Sequence, residues 1–537
     1  MALAALHLRL LRRALPMNAG AARRLTQTQA PKTRGFASDS ERNEAGDPPL
    51  ASAFLQHIDL SHPNTADRQK LSKLIQEIVK TKANTGDFVP RVVIENLCTK
   101  YRNLNIEEKK QFLLILARDL HVDVALVQQS LQHFTESAAR VASPAGAASP
   151  DAVNWGHETI ERYLRTFRNL RAALSPLHET FFQQILSQRQ GGMLFLVNLR
   201  ADLLQVLRKH SPESSEAAAL RSLDVSLKQF LASWFSVGFL HLERVTYEHS
   251  SGQLLEKIIR YEAVHPVGTI IELKRRLGKS RRCFAFFHPS IPDEPLVFVH
   301  VALVKEIASS MQYIRDETEH MDDEHDAKAA IFYSISSTQK GLQGVDLGNF
   351  LIKEVAKALK AEHGQLETFA TLSPIPQFVA WLETQRSNDD ASLVSAASLA
   401  RLQAALAARD GRQEEERSTP PVALVLRALA VDNWFDDAAL ESALRPILLK
   451  LGARYIYQEK KRGKALCSVS NFHIRNGAIF ERINWLADPS PKGLHQSAGM
   501  MVNYKYDLKQ VEANNEKYLL QNFIPIGEQP QRILASD

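Results

Sequence analysis

The chain has 537 residues, enough for two or three domains with substantial cores, and its apolar content of 45% and charged content of 23% are typical of a globular protein. The longest apolar run, Pro295–Val304, is shorter than the roughly 18 residues that a membrane-spanning helix needs, so we expect no membrane insertion. The three cysteines, Cys98, Cys283 and Cys467, form no CxxC pair, which argues against a zinc knuckle and a disulfide framework.

The formal net charge of +6 comes from one end of the chain. The first 38 residues hold Lys32 and six arginines but no acidic residue, and without them the charge is −1, so nothing indicates nucleic-acid binding. The segment is rich in Arg, Ala, Leu and Thr and would begin as a basic amphipathic helix, which is typical of an organellar transit peptide. We predict a mitochondrial transit peptide over 1–38, with a disordered basic tail as the alternative, and a linker over 39–60.

Helical periodicity dominates the next part of the chain. Apolar residues at helical spacing predict helices over Ile106–Asp119, Val122–Phe134, Glu158–Ser175, Leu199–Lys209 and Ser215–Leu231. None of them carries a pattern typical of catalysis. We therefore predict an all-helical domain over 61–230 that serves in oligomer assembly.

Strands and helices mix from about residue 231 to the end, which together with the helical first part predicts an α+β fold. Apolar runs predict strands over Phe235–Val245, Cys283–Phe287 and Leu296–Leu303. The acidic stretch Met311–His325 is interpreted as a solvated loop, and the Ala/Arg/Glu-rich stretch 386–421 as a surface insertion.

The stretch Ala329–Lys353 constrains function most. It predicts a strand over Ile331–Ser336, a glycine loop over Gln339–Gly344 and a helix that opens at Leu347. Free backbone N–H groups at a helix start, next to glycines that allow close approach, favour an anion site, most often for phosphate. The alternative is an ordinary connection between a strand and a helix.

A second strand is predicted at Thr368 and runs into Ser373, where Pro374 and Pro376 fix the backbone. No GxSxG motif surrounds the serine, so the residue alone does not indicate a nucleophile. Histidines in other strand or turn contexts are interpreted as structural: His265, His288 and His300.

Six motifs in this order resemble the malonyl-CoA decarboxylase family: AVHPVG, RRCFAFFHPS, GLQGVDLGNFLIKEV, LSPIPQF, YQEKKRGKAL and NFHIRNGAIFERINWLAD. The resemblance runs from about residue 60 to about residue 510. It implies a helical domain used in homotetramer assembly, followed over 231–537 by an acetyltransferase-like α/β catalytic domain that binds malonyl-CoA. It also implies conversion of malonyl-CoA to acetyl-CoA and carbon dioxide, in control of malonyl-CoA level and fatty acid metabolism, with no metal or organic cofactor.

The resemblance also implies the site residues. It assigns Ser373 in SPIP as proton acceptor and His473 in NFH as proton donor, and both would contact the substrate. The substrate-binding loop would comprise Gln343, Gly344, Val345, Asp346, Leu347, Gly348 and Asn349. The general acetyltransferase loop has Gly or Ala where Asp346 stands, which puts the usual pyrophosphate pose in question.

Two other functions remain open: a coenzyme A-dependent acyltransferase, and a non-catalytic acyl-CoA-binding protein. For localisation we expect the mitochondrial matrix, and a cytoplasmic fraction stays open. Animal members of the family end in a peroxisomal Ser-Lys-Leu signal, whereas this sequence ends Leu534-Ala-Ser-Asp537, so we expect no peroxisomal delivery by that route.

Overall fold

The computed structural model describes residues 69–70, 72–73, 75, 88–142, 156–235, 237–321, 323–345, 351–387, 393–410 and 419–536. The predicted transit peptide over 1–38 and the linker over 39–60 lie outside these residues.

The first part of the described chain is helical. Its helices are α1 (Phe88–Arg102), α2 (Ile106–Arg118), α3 (Val124–Ala142), α4 (His157–Ala173), α5 (Leu177–Gln188), α6 (Gly192–Lys209) and α7 (Ser215–Trp234). The predicted helices are confirmed, although α3 continues eight residues past the predicted end and α6 begins seven residues before the predicted start. The sequence patterns missed α1 and α5.

Local signals and burial both account for these helices. At the start of α2, the Asn105 side chain accepts hydrogen bonds from the N–H groups of Glu107 and Glu108, while the Glu108 carboxylate accepts from the Asn105 N–H at 2.7 Å. Such a capping box contributes about 1 kcal/mol. Most of the stability comes from burial of apolar stripes. On α7 the fully buried leucines are Leu220, Leu223, Leu227 and Leu231, and each contributes roughly 1.5–3 kcal/mol.

A mixed region follows α7. Its strands are β1 (His241–Val245), β2 (Arg281–Phe287), β3 (Val297–Val304), β4 (Ala329–Ser337), β5 (Thr368–Thr371), β6 (Ser373–Pro374), β7 (Lys460–Lys461), β8 (Lys464–Ala465), β9 (Ile479–Asn484) and β10 (Met501–Lys505). The main sheet has the order β1-β2-β3-β4-β5-β10-β6, and β9 pairs with the other edge of β10. Strands β7 and β8 form a separate hairpin.

Twelve described helices alternate with these strands. They are α8 (Gly252–Tyr261), α9 (Ile270–Arg276), α10 (Met311–His320), α11 (Leu351–Glu362), α12 (Phe378–Thr384), α13 (Ala396–Asp410), α14 (Pro421–Leu429), α15 (Ala438–Tyr457), α16 (Ser468–Arg475), α17 (Pro491–Ser497), α18 (Val511–Gln521) and α19 (Glu528–Ala535). Because β2 and β3 are buried on both faces, their sequences, RRCFAFF and VFVHVALV, are mostly apolar and show no strict alternation of polar and apolar residues. None of the described helices combines the length and apolar character needed to cross a membrane.

The sheet opens beside β4. Strand β4 pairs with β5 in parallel only as far as Phe332 and Thr371, whereas its antiparallel pairing with β3 continues to Ser337. Beyond Thr371 the chain pairs with β10, where Ser373 lies opposite Val502. The second half of β4 and strand β6 therefore diverge, and Ser373 lies at this divergence.

Two predictions in the mixed region were wrong. Residues Met311–His320 form a helix with Ile314 fully buried, since apolar and small side chains recur on one face among the acidic ones. The strand predicted from Phe235 begins only at His241, after a 3₁₀ turn over Val237–Phe239 that contains a glycine. In the stretch 386–421, α13 buries Leu402 and Leu406 completely. The surface insertion expected there stays a prediction.

The end of α7 at Trp234 lies close to the predicted boundary at residue 230. The buried side chains of the helical part and of the sheet nevertheless belong to one continuous hydrophobic cluster. The two parts therefore share a core, and their assignment as separate domains stays a prediction.

Candidate active site

Ser373 and His473 lie in direct contact, although they are 100 positions apart in the sequence. The Ser373 Oγ is 3.0 Å from the His473 Nε2, and both residues are buried, with 5% and 3% of their surfaces exposed. Ser373 begins β6, and His473 lies in the last turn of α16. The fold thus brings together the two residues that the sequence motifs singled out.

Two further hydroxyl groups complete a chain of hydrogen bonds. The Ser373 Oγ–H donates to the Thr371 Oγ1 at 2.9 Å, and the His473 Nδ1 is 2.8 Å from the Tyr506 hydroxyl oxygen. A serine hydroxyl has one hydrogen, so the Ser373 Oγ accepts from the His473 Nε2–H, and Nδ1 then accepts from the Tyr506 O–H. This tautomer is assigned from the hydrogen-bond network.

Local sequence explains why α16 ends where it does. The Gly477 N–H donates to the carbonyl of Ile474, and the Ala478 N–H donates to the carbonyl of His473 at 3.1 Å. This is the Schellman arrangement, which requires a left-handed residue after the helix. Gly477 has φ +82°, and a Cβ there would lie 1.9 Å from the Val511 carbonyl oxygen. The Asn476–Gly477 pair therefore fixes the backbone around His473.

Burial keeps the His473 imidazole neutral. Its ring stacks on Tyr504 with centroids 4.7 Å apart, and removal from water lowers the His473 pKa from 6.5 to about 3. Burial also raises the pKa of Tyr506 well above its usual value. The imidazole is thus a neutral donor of one N–H, and its pKa lies below the near-neutral range that would suit a proton donor.

The predicted substrate-binding loop is held by the helical part of the protein. Arg200 on α6 is 2% exposed, and its Nη1 donates to the carbonyl oxygens of Gly341 at 2.6 Å and Gln343 at 2.9 Å. Its Nε pairs with Asp224 on α7 at 2.8 Å. Gly341 itself lies against α6, where a Cβ would be 1.8 Å from the Val197 carbonyl oxygen. These contacts fix the loop backbone.

Only part of this loop belongs to the described residues. Gln343, Gly344 and Val345 are described, and Gly344 has φ +75°. The remaining predicted substrate-binding residues lie outside the described ranges: Asp346, Leu347, Gly348 and Asn349. The N–H groups of Leu342, Gln343 and Val345 donate to carbonyl oxygens within the loop at 2.9–3.1 Å, so in this conformation they are engaged. The described helix α11 begins at Leu351.

A buried carboxylate anchors the AVHPVG motif to the sheet. Glu262 accepts hydrogen bonds from the backbone N–H groups of Val264 and His265, at 2.8 and 3.0 Å, and from the Ser334 hydroxyl on β4 at 2.8 Å. Lys492 on α17 donates to the carbonyl oxygen of Val264 at 2.8 Å. Within the described ranges, no group of three or more His, Cys, Asp or Glu side chains is arranged to hold a metal ion.

Comparison with known proteins decides the family. The family model of the malonyl-CoA decarboxylase C-terminal domain matches residues 238–535, and that of the malonyl-CoA decarboxylase N-terminal domain matches residues 148–235. The chain belongs to the malonyl-CoA decarboxylase family. The resemblance expected from the motifs is thereby confirmed.

Individual relatives agree with this assignment. The mitochondrial malonyl-CoA decarboxylase of Mus musculus is 44% identical over 370 residues, which cover 68% of this chain and 73% of that protein. The mitochondrial enzyme of Anser anser anser is 42% identical over 364 residues, which cover 67% and 70%. The crystal structure of malonyl-CoA decarboxylase from Rhodopseudomonas palustris superposes with a TM-score of 0.69 at 32% identity, covering 87% of this chain and 99% of that one. The fold of this family member, helical and then mixed, is as predicted.

Several residues of the site were not found from the sequence. Thr371, Tyr504 and Tyr506 stand in no catalytic motif, and Arg200 lies in a helix that sequence reasoning interpreted as a scaffold. The signal that could have pointed to the tyrosines is the alternation Tyr504-Lys-Tyr506 just after a buried strand residue. It indicates that both rings face one side of the strand.

We expect Gly344→Val to raise the KM for malonyl-CoA about tenfold or more. A β-branched residue is disfavoured at φ +75° by roughly 1–3 kcal/mol, and its side chain would occupy the approach to the loop. The measurement is steady-state kinetics together with the Tm. The matched control is Gly364→Val, since Gly364 has no left-handed φ and an added Cβ there meets no atom within 4 Å. An unchanged KM in a folded Gly344→Val protein would contradict the role of this loop.

Burial of neutral His473 should make stability depend on pH. The pKa of about 3 in the folded protein lies below the unfolded value of 6.5, so between these values the unfolded chain binds more protons and folding weakens as the pH falls. The free energy of unfolding, measured with urea, should therefore fall between about pH 7.5 and about pH 5.5 in both proteins. The fall should be about 1 kcal/mol larger in the wild type than in His473→Asn. Equal losses in the two proteins would contradict a buried neutral imidazole.

Proposed function

We propose that this chain converts malonyl-CoA to acetyl-CoA and carbon dioxide, with Ser373 and His473 at the reacting end of the substrate. The observation that carries the proposal is the buried contact of 3.0 Å between these two side chains at the divergence of β4 and β6. The malonyl-CoA decarboxylase names of relatives at 42–44% identity support the same reaction. Such an enzyme acts in control of the malonyl-CoA level and of fatty acid metabolism.

The reaction needs stabilisation of negative charge before it needs a proton. When the bond from the carboxylate to the α-carbon breaks, its electron pair moves into the thioester carbonyl and forms an enolate. Donors that are already oriented in a dry site stabilise this oxygen, each by about 3 kcal/mol. The His473 N–H and the Ser373 hydroxyl are the two polar hydrogens that we propose for this role. They are donated to the Ser373 Oγ and to the Thr371 Oγ1 in this structure, and in our proposal they turn to the enolate oxygen when the substrate binds.

The enolate then takes one proton at the α-carbon and becomes the acetyl thioester. In our proposal His473 delivers this proton. When the malonyl carboxylate enters the site, its negative charge raises the pKa of the His473 ring, so the ring takes up the proton that it later transfers. Ser373, which the resemblance assigns as proton acceptor, accepts the hydrogen bond of the imidazole before the substrate binds. A general acid of this type contributes about 10²–10⁴-fold to the rate.

The substrate-binding loop is proposed to hold the coenzyme A end. It follows β4 directly, so a ligand bound there can extend along the divergence of the sheet toward Ser373. The positive φ of Gly344 and the anchoring by Arg200 support a rigid, close surface for phosphate. Asp346, Leu347, Gly348 and Asn349 complete the proposed contact set. We propose no metal or organic cofactor.

An acyltransferase and a non-catalytic acyl-CoA-binding protein are the alternative functions. One assay separates them from the decarboxylase: the purified protein is incubated with malonyl-CoA alone, and carbon dioxide and acetyl-CoA are measured. We expect equimolar release of both, because the proposed chemistry needs no acceptor amine. Release only after an amine is added would favour the acyltransferase, and binding without release would favour the binding protein.

The helical part is proposed to mediate a homotetramer. Apolar side chains stand exposed on α3 and α4, among them Val124, Leu126, Leu131 and Leu164, and exposed apolar surface of this kind favours burial against another subunit. For localisation we propose import into the mitochondrial matrix through residues 1–38, with a cytoplasmic fraction as an open alternative. The mitochondrial names of the relatives support this proposal.

We expect His473→Asn and Ser373→Ala each to lower kcat by about 100-fold, with little change in KM, because both groups act mainly on charge that develops in the transition state. The double variant should be scarcely worse than the poorer single one if the two groups form one unit. Kinetics and the Tm are measured on the same preparations. His495→Asn, an exposed histidine on α17, is the matched control. If the His473→Asn protein folds, binds malonyl-CoA and keeps a kcat near that of the wild type, His473 is not the general acid.

A further inference from the structure

A lysine of the helical part stands directly over the proposed phosphate loop. A Cβ added at Gly344 would lie 3.3 Å from the Nζ of Lys228 and 3.6 Å from its Cε. Lys228 lies on α7 and is partly buried. Its ammonium group is therefore next to the one described residue of this loop whose backbone has a left-handed φ.

The neighbouring carboxylate that would ordinarily neutralise this lysine is engaged elsewhere. Asp224 precedes Lys228 by four residues on α7, a spacing at which an acid and a lysine commonly pair. The Asp224 Oδ1 instead accepts from the Arg200 Nε at 2.8 Å. Within the described part of the chain, Lys228 forms no ion pair of its own. Its charge is thus available to an anion at the loop.

The position of Lys228 relative to the loop is set by rigid contacts. Arg200 donates to two loop carbonyl oxygens, and Gly341 packs on the α6 backbone so closely that no side chain fits between them. Since α6 and α7 pack together and Arg200 joins them through Asp224, Lys228 and Gly344 belong to one connected unit. The loop cannot move away from Lys228 unless the buried hydrogen bonds of Arg200 are broken.

We propose that the helical part completes the coenzyme A site, with Lys228 pairing with a phosphate group of the coenzyme A moiety at Gly344. This rests on the proposed function of the loop and extends it to a residue outside the mixed region. A lysine binds phosphate as a compact point charge. The loop N–H groups that donate to loop carbonyl oxygens do not face a phosphate in this conformation, and the Lys228 ammonium group supplies a positive charge in their place. The helical part thereby belongs to the binding site.

The test compares two thioesters in one assay. Malonyl-pantetheine has the reacting end of malonyl-CoA without the nucleotide phosphates. We expect Lys228→Met to raise the KM for malonyl-CoA roughly tenfold and that for malonyl-pantetheine much less, with the effect on malonyl-CoA shrinking at high salt. Lys228→Arg should restore most of the affinity because it keeps the charge. The control is Lys209→Met, which removes an exposed lysine at the end of α6.

Calorimetry with coenzyme A itself keeps this test separate from the decarboxylation. A roughly tenfold higher Kd for coenzyme A in Lys228→Met supports the inference whether or not the wild type releases carbon dioxide. A wild type without carbon dioxide release would overturn the proposed function alone. Equal affinity for coenzyme A in the two proteins, or an equal rise in KM for both thioesters, would overturn the role of Lys228.

Discussion

The site depends on one strand, β10, which must satisfy hydrogen-bonding groups on both of its edges. It pairs with β9 along one edge and with β5 and β6 along the other. Between β5 and β6 the ladder is completed by side chains: the Thr371 Oγ1 accepts from the Tyr504 N–H at 3.1 Å, and the Asn503 side chain donates to the Thr371 carbonyl at 2.7 Å. Unpaired buried backbone groups would cost several kcal/mol, so this arrangement places Ser373 and Tyr506 in fixed positions.

Burial at this strand has a direct electrostatic consequence. The same packing that stacks His473 on Tyr504 removes the imidazole from water and holds it neutral. A neutral imidazole costs stability only at low pH, and its single N–H is held in place by the Ser373 Oγ at 3.0 Å. The proposed proton transfer therefore depends on the charge that the malonyl carboxylate would bring next to this buried ring.

The helical part is connected to this chemistry through buried contacts. Arg200 bridges α6, α7 and the loop after β4, and its guanidinium group is satisfied by a carboxylate and two carbonyl oxygens. Removing one partner of such a buried charged group is strongly destabilising, since the other partners lose their compensation. The helices consequently support the loop, and one hydrophobic cluster runs through both parts.

The sequence by itself determined the elements whose causes are local. Apolar and aromatic runs located β2, β3 and β4, and glycine spacing located the loop after β4, because these signals act between neighbouring residues. Only the tertiary structure decided which of these elements meet. The contact of Ser373 with His473, the support from Tyr506 and the Arg200 bridge to Gly341 span 33 to 141 positions. Such contacts follow from strand order and helix packing, which hydrophobic periodicity does not encode.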